Sequence, residues 1–243
     1  DVTATLGVLK YEKPLPAALA GMAKGNFPSF IPKTDQPRIQ NCTRQFEEIC
    51  RDSWSITEKL DGSSMTVYCK TEFENGLVKE QLSGVCSRNL DLKFDESNSF
   101  WEAAIKYDLI HKIFSTGRNL AIQGELVGEG IQGNSYKITG RQFFRFDSQF
   151  FCFDIWDIDN QKYLLPEERI ELCKQLDIKH VPVLQRKVVL QSNDTTASLL
   201  KLAEGKSLIG CNPEREGLVW KSETQHDVSM KTISDKWLLK GGE

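Results

Sequence analysis

The chain has 243 residues, of which 40% are hydrophobic and 27% charged, and its formal net charge is −3. That is the composition of a globular domain long enough to bury a sizeable core. A charge so near zero excludes a broadly basic coat for nucleic acid, while leaving room for a local basic patch around phosphates. No stretch approaches the roughly 18 consecutive apolar residues that span a bilayer, so no membrane partner is expected.

The chain begins at Asp1 without a Met or a basic-then-apolar leader, as expected of a fragment with something upstream. No internal repeat or long linker interrupts it, so one domain over 1–243 is expected. A short helix is predicted over 15–24, closed by Gly25, followed by a Pro-rich polar loop over 27–41 that contains Arg38. Strands are predicted over 53–58 and 63–70, where Met65, Val67 and Cys69 alternate with Thr66, Tyr68 and Lys70. The turn Glu74-Asn75-Gly76 returns the chain along 77–86. One helix is predicted from a Ser99 cap to Phe114, with Phe100, Ala103, Ala104, Tyr107, Ile110 and Phe114 on one side. Further strands fall at 120–127, 143–158, 181–190, 216–222 and 228–233, and further helices at 166–176, with Pro166 first, and 195–204. Strands outnumber helices and come in runs, which favours an α+β fold of antiparallel sheets flanked by helices.

The seven cysteines (42, 50, 69, 86, 152, 173, 211) form no Cys-x-x-Cys pair, and the three histidines stand apart. A zinc site is not expected. Buried, reduced thiols are, which points to an intracellular protein, cytoplasmic or nuclear.

The sharpest local feature is Glu58-Lys59-Leu60-Asp61-Gly62-Ser63-Ser64. A lysine at a strand end, before an Asp-Gly turn into another strand, can direct its amine into a cleft. Its amine becomes a nucleophile near neutral pH when burial or a nearby cation destabilises the ammonium. Gly62 lets the backbone turn and a ligand approach, and Asp61 can orient the amine or a hydrated metal. An exposed lysine beside an ordinary turn would match the same string.

Other segments stand in order around it. The chain resembles the covalent nucleotidyltransferase superfamily of ATP-dependent polynucleotide ligases and mRNA capping enzymes over nearly its whole length. Lys59-x-Asp61-Gly62 resembles the first motif, whose lysine takes AMP from ATP. Ser87-Arg88-Asn89 sits where the family places a basic residue near ribose and phosphates. Gly124-Glu125-Leu126-Val127 resembles the third motif, whose Glu binds the ribose hydroxyls, and Phe153 resembles the aromatic that stacks on the purine. Arg215-Glu216-Gly217-Leu218-Val219 is similar to the fourth motif, whose Glu helps hold the metal. Met230-Lys231-Thr232-Ile233-Ser234-Asp235-Lys236 resembles the fifth, which supplies lysine to the phosphates. That motif is commonly Lys-x-Lys, but Ile233 stands at the second position, so Lys236 or Lys221 would supply the missing charge unless one lysine suffices.

The segment over 27–41 is most similar to RNA ligases, in the branch with an N-terminal OB-fold domain and a C-terminal nucleotidyltransferase domain. The seven residues after Lys236 leave no room for the C-terminal OB domain of DNA ligases and capping enzymes. The resemblance therefore implies an isolated adenylyltransferase domain, with ATP as substrate and Mg²⁺ or Mn²⁺ as cofactor. It places Lys59 as the catalytic nucleophile. Arg38, Glu58, Asp61, Gly62, Arg88, Glu125, Phe153, Val219, Lys231 and Lys236 would bind nucleotide, and Asp61, Glu125 and Glu216 would hold the metal. The expected partner is RNA with 5′-phosphate and 3′-hydroxyl ends in a nicked duplex, and the expected state is a monomer. The alternatives are a DNA ligase, an mRNA guanylyltransferase, or a non-catalytic module that binds nucleic-acid ends.

Taken singly, these residues have ordinary roles open to them. Phe153 could be core, Glu125 and Glu129 solvated strand ends, and Glu216 half of a surface ion pair with Arg215. Arg88 could be a turn residue, and Lys231 an edge charge that discourages aggregation.

Overall fold

The computed structural model describes residues 21–42, 46–138, 147–191 and 193–240. Within them, antiparallel pairing builds two sheets. The larger contains β1 (Ala23–Asn26), β3 (Ser63–Glu74), β4 (Leu77–Cys86), β5 (Leu90–Leu92), β6 (Leu120–Gly128), β7 (Ser148–Asp157) and β8 (Lys162–Tyr163). The smaller contains β2 (Ser53–Lys59), β9 (Val183–Val189), β10 (Gly217–Ser222) and β11 (Ser229–Ile233). Their orders are β1-β5-β4-β3-β6-β7-β8 and β11-β10-β2-β9. The fold is thus the expected mixture of antiparallel sheets and helices.

The helices are α1 (Phe46–Arg51), α2 (Ser99–Lys106), α3 (Leu109–Ser115), α4 (Pro166–Gln175), α5 (Thr196–Ala203) and α6 (Asp235–Leu239). Met65, Val67, Leu120, Ile122 and Leu126 of the large sheet bury one face against Ala103 and Ala104 of α2, Leu109 and Ile113 of α3, and Cys173 of α4. Trp54, Ile56, Leu218, Trp220 and Met230 of the small sheet pack with Leu199 and Ala203 of α5 and with Ile39. Full burial of a large apolar side chain contributes about 1.5–3 kcal/mol, so these two layers hold each sheet in place.

Some expectations change. Of the helix expected over 15–24, residues 15–20 lie outside the described residues, and Ala23–Asn26 is a strand paired with β5. The helix expected from Ser99 to Phe114 divides into α2 and α3, because Asp108 adopts φ 53° between them. Asn98 rather than Ser99 caps α2, accepting from the Phe100 N–H at 2.9 Å. The strand expected over 143–158 is Ser148–Asp157, with 143–146 outside the described residues. Pro166 does begin α4, and Thr195 caps α5 in a reciprocal box with Ser198.

Thr66 and Tyr68, read as the polar face of their strand, are buried too. The loop after β1 covers them: Phe30 meets Tyr68 edge to face with ring centroids 5.5 Å apart, and the Tyr68 hydroxyl donates to Asp91. All seven cysteines are free thiols, and burial pushes the Cys69 thiol up to about 12. No helix of the described residues is long and apolar enough to cross a membrane.

Candidate active site

The site forms where the two sheets converge. Lys59 is the last residue of β2 and lies opposite Gly217, the first of β10. This register sets Lys59 beside Glu216, 157 positions away, and its ammonium donates to Glu216 Oε1 at 2.6 Å. Gly217 is obligatory, because a Cβ there would lie 2.1 Å from the Thr232 carbonyl of β11. Gly62 is needed for the same kind of reason. A Cβ on it would lie 2.3 Å from the Leu126 carbonyl, so the turn after Lys59 packs directly on β6. The close approach is to a neighbouring strand, where the sequence had suggested a ligand.

Glu125 on β6 lies opposite Ser64 and accepts from the Gly62 N–H. Burial raises its pKa to about 8; Lys59 pulls it down, while Glu216 and Asp61 push it further up. Burial also raises Glu216, against the pull of Lys59. Asp61 is fixed by two groups invisible in the motif: its N–H donates to the Tyr136 hydroxyl at 2.6 Å, and its Oδ2 accepts from Ser135 Oγ at 3.2 Å. Three carboxyl groups, Asp61, Glu125 and Glu216, thus gather about one ammonium, a set of oxygen donors that suits a divalent cation, whose charge would favour the ionised form of Glu125. Among the described residues no three His, Cys, Asp or Glu side chains converge tightly enough to grip an ion directly. The donor set fits a hydrated Mg²⁺ or Mn²⁺ held partly through its waters.

A pH dependence follows from Glu125. Between its ordinary pKa of 4.5 and about 8, the folded chain keeps a proton that the unfolded chain has lost. Stability of the nucleotide-free protein must fall as pH rises through that window. Glu125→Gln is expected to remove that part of the slope, so that the melting temperatures of variant and parent diverge from pH 5 to pH 8. Parallel melting curves across that range would contradict it.

Around this cluster, Phe153 sits at a bulge in β7: Gln123 faces Asp154 and Gly124 faces Cys152, leaving Phe153 without an opposite residue. Bulges re-aim side chains, and this one packs Phe153, half-buried, with Leu60, Val127 and Tyr136. Val219, half-buried on β10, lies between Thr57 and Lys231 in the small sheet. Glu58 is 1% exposed; its Oε2 accepts from the Leu208 N–H at 2.9 Å, Ser207 also hydrogen-bonds its carboxyl, and its Oε1 is buried with no partner among the described residues.

Further cations lie near the cluster. Lys231 donates to Asp35 Oδ1 at 3.0 Å, and its backbone bridges to Arg38. That hydrogen bond holds the Asp35 carboxyl below its usual range, with help from Lys231, Arg88 and Lys59 charges. Asp35, which the sequence did not single out, is thus a carboxylate lying within a nest of cations. Arg88 is exposed in the loop before β5.

Two expectations are corrected. Lys236 lies on α6 and pairs with Glu204 at 2.8 Å, and the carboxylates it faces are Glu204 and Glu214, outside the Lys59 cluster. Lys221 cannot replace it, because its ammonium is buried against Asp154. Arg215 does not pair with Glu216; its guanidinium donates to the carbonyls of Leu202, Ala203 and Glu204 at the end of α5.

Comparison with known proteins adds to this geometry. A family described as RNA ligase matches residues 52–237. Among solved structures, a lysine-to-alanine mutant of Naegleria gruberi RNA ligase with ATP and Mn is 42% identical, with a TM-score of 0.78, covering 99% of this chain and 67% of that one. A lysine-to-methionine mutant of the same enzyme with AMP and Mn is 42% identical at a TM-score of 0.77, covering 99% and 67%. The enzyme with PPi is 42% identical at 0.78, covering 99% and 66%. The chain thus spans about two thirds of the length of these ligases. No curated protein matches it.

Proposed function

Because the chain belongs to the RNA ligase family, we propose that it joins RNA ends at the expense of ATP, with Lys59 carrying the AMP. The observation that carries this reading is the Lys59 ammonium held 2.6 Å from Glu216 in a cluster with Asp61 and Glu125. The Naegleria gruberi structures with ATP and Mn, and with AMP and Mn, support it.

In the first step the neutral amine of Lys59 attacks the α-phosphorus of ATP. A nitrogen–phosphorus bond forms as the bond to pyrophosphate breaks. Glu216 Oε1, already hydrogen-bonded to the ammonium and raised in pKa by burial, is placed to take the proton. Lys231, Arg38 and Arg88 would meet the phosphates, where charge grows in the transition state. Asp61, Glu125 and Glu216 would hold Mg²⁺ or Mn²⁺, which when bound supplies positive charge against the phosphoryl oxygens. AMP then passes from Lys59 to an RNA 5′-phosphate, and a 3′-hydroxyl displaces AMP to form the phosphodiester.

Phe153 and Val219 would enclose the base, with Glu125 near the ribose. Glu58 bears on which base is accepted. A buried carboxylate oxygen without a partner is costly, and a donor that completes it recovers that cost. Adenine offers its exocyclic amino group at the position where guanine offers an acceptor, so ATP is favoured over the GTP of a capping enzyme. Glu58→Gln is expected to raise the KM for ATP about tenfold or more, the scale of a lost hydrogen bond to a charged group, and to narrow discrimination against GTP. Competition between the two nucleotides in covalent labelling checks this, and unchanged selectivity would remove Glu58 from base recognition.

The segment over 27–41 and the two-thirds coverage of the matched ligases support the branch in which an OB-fold domain precedes this one. Such a partner domain would help grip a nicked duplex, and we take the active unit to be a monomer. The free cysteines suit a reducing, intracellular setting. Comparing self-labelling with nick sealing, with and without an upstream OB domain, tests the arrangement: sealing should gain more than labelling, and equal gains would count against it.

A further inference from the structure

The loop over 27–41 is a strap that ties the two sheets together. On the large sheet, Gln123 Nε2 of β6 donates to the Pro32 carbonyl at 2.9 Å, and Trp156 Nε1 of β7 donates to the Phe30 carbonyl at 3.1 Å. On the small sheet, the Lys231 N–H of β11 donates to the Pro37 carbonyl at 2.9 Å, and Ile39 is buried in that sheet's core. Proline fixes φ at both anchors. Only residues 33–36 bridge from one sheet to the other, and Asp35 lies within that bridge. We infer that Asp35 stands in for a phosphate of ATP on Lys231 and is displaced when ATP binds, so that it sets the affinity of the chain for the triphosphate.

The placement of the carboxylate supports an exchange. Asp35 Oδ1 accepts from Lys231 Nζ at 3.0 Å, so the lysine that would meet a phosphate is already committed to an anion. The Asp35 side chain is 67% exposed and that of Lys231 20%, so the carboxylate can swing into solvent while the lysine stays in the cleft. Arg88 and Lys59 act on the same carboxylate and help keep it ionised. One small anion thus sits at the focus of the nucleophile and two of the cations assigned to the phosphates.

The backbone separates this pair from the attachment of the strap. Lys231 is held to the strap by its own N–H and by the bridge to Arg38, and Pro32 is held by Gln123. Loss of the Asp35 carboxylate leaves these anchors in place. The strength of the pair also suits a stand-in. A partly exposed ion pair is a weak competitor, and it lowers the apparent affinity of a ligand by the fraction of chains in which the site is taken. A buried pair would bar ATP instead of yielding to it.

This inference rests on the reading of Lys231 as a phosphate contact in an RNA ligase, and its test separates the two. Asp35→Asn keeps the size of the side chain and removes its charge; it is made in the whole chain, alone and together with Lys231→Ala. Three quantities are read: the KM for ATP in covalent labelling, inhibition of that labelling by adenosine, and the Kd for pyrophosphate with Mg²⁺ by calorimetry. Asp35→Asn is expected to lower the KM for ATP and the Kd for pyrophosphate by roughly threefold to fivefold, the scale of a partly exposed ion pair. Inhibition by adenosine, which carries no phosphate, should not change. With Lys231→Ala present, most of the gain should vanish. Unchanged or weaker binding of ATP and pyrophosphate in Asp35→Asn would overturn the inference. So would an equal shift for adenosine, which would make the effect one of the fold. An equal gain beside Lys231→Ala would also overturn it, by reducing Asp35 to a charge that merely repels phosphate. Failure of the parent chain to label with ATP would strike the ligase reading, while the pyrophosphate measurement would still decide the role of Asp35.

Discussion

Lys59→Met is expected to abolish joining of RNA carrying an ordinary 5′-phosphate, a loss on the order of a millionfold, as when a covalent nucleophile is removed. The same variant is expected to retain sealing of RNA whose 5′ end already carries AMP, since the final displacement uses the 3′-hydroxyl and needs no lysine nitrogen. Methionine is preferable to alanine because it fills the space beneath Glu216, whose carboxylate loses its 2.6 Å partner in either variant. Lys59→Arg would keep the charge beside Glu216 and still fail in the first step, since a guanidinium does not surrender its proton near neutral pH. Equal loss on pre-adenylylated and ordinary RNA would make Lys59 a structural residue.

Asp154→Asn is expected to have the largest effect on stability. Asp154 is 1% exposed and lies between the buried Lys221 ammonium and Arg169 Nη1, the latter 3.4 Å away. His180 adds no charge: burial, reinforced by Arg169, lowers its pKa to about 3, and it accepts from Arg169 Nε. Among the described residues, Asp154 is thus the carboxylate hydrogen-bonded to both of these buried cations. Removing it should cost about 3–5 kcal/mol, the scale for breaking a buried charge pair at one end. Lys221→Met should cost less, because Arg169 still faces Asp154. Adding Lys221→Met to Asp154→Asn should recover much of the loss, since it restores the original net charge of the group. Urea unfolding of the three variants checks this order, and additive losses in the double variant would contradict it. The pair also joins β7 to β10. Asp154 follows Phe153, and Lys221 lies two residues beyond Val219, so its loss should raise the KM for ATP by loosening the slot between those two side chains.

The contrast with the sequence lies in distance along the chain. The strand–Lys59–Asp61–Gly62–strand unit was legible because its chemistry, turn and register lie within a few residues. Alternating apolar residues likewise located β3, strand-like runs located β6 and β10, and Pro166 the start of α4. The break at Asp108 was hidden because the apolar face continues in phase through it, so only the left-handed Asp108 marks the division. Lys221 reads as a candidate phosphate contact and Asp154 goes unremarked, because nothing local reveals that a second sheet covers them. Tyr136 lies outside every motif and Asp35 is one unremarked residue of the 27–41 loop; they become part of the site through contacts 75 residues away to Asp61 and 196 away to Lys231. Lys236 misled for the converse reason. It lies close in sequence to Lys231, but a helix beginning at Asp235 turns it toward Glu204.

The most direct test of a lysyl-AMP intermediate is mass spectrometry of the intact chain after incubation with ATP and Mg²⁺, followed by peptide mapping. A mass increase equal to one AMP, lost on mild acid treatment and located on the peptide containing Lys59, is the expected result. No adduct, or an adduct on any peptide that lacks Lys59, would contradict the assignment of this lysine as the residue that carries the nucleotide.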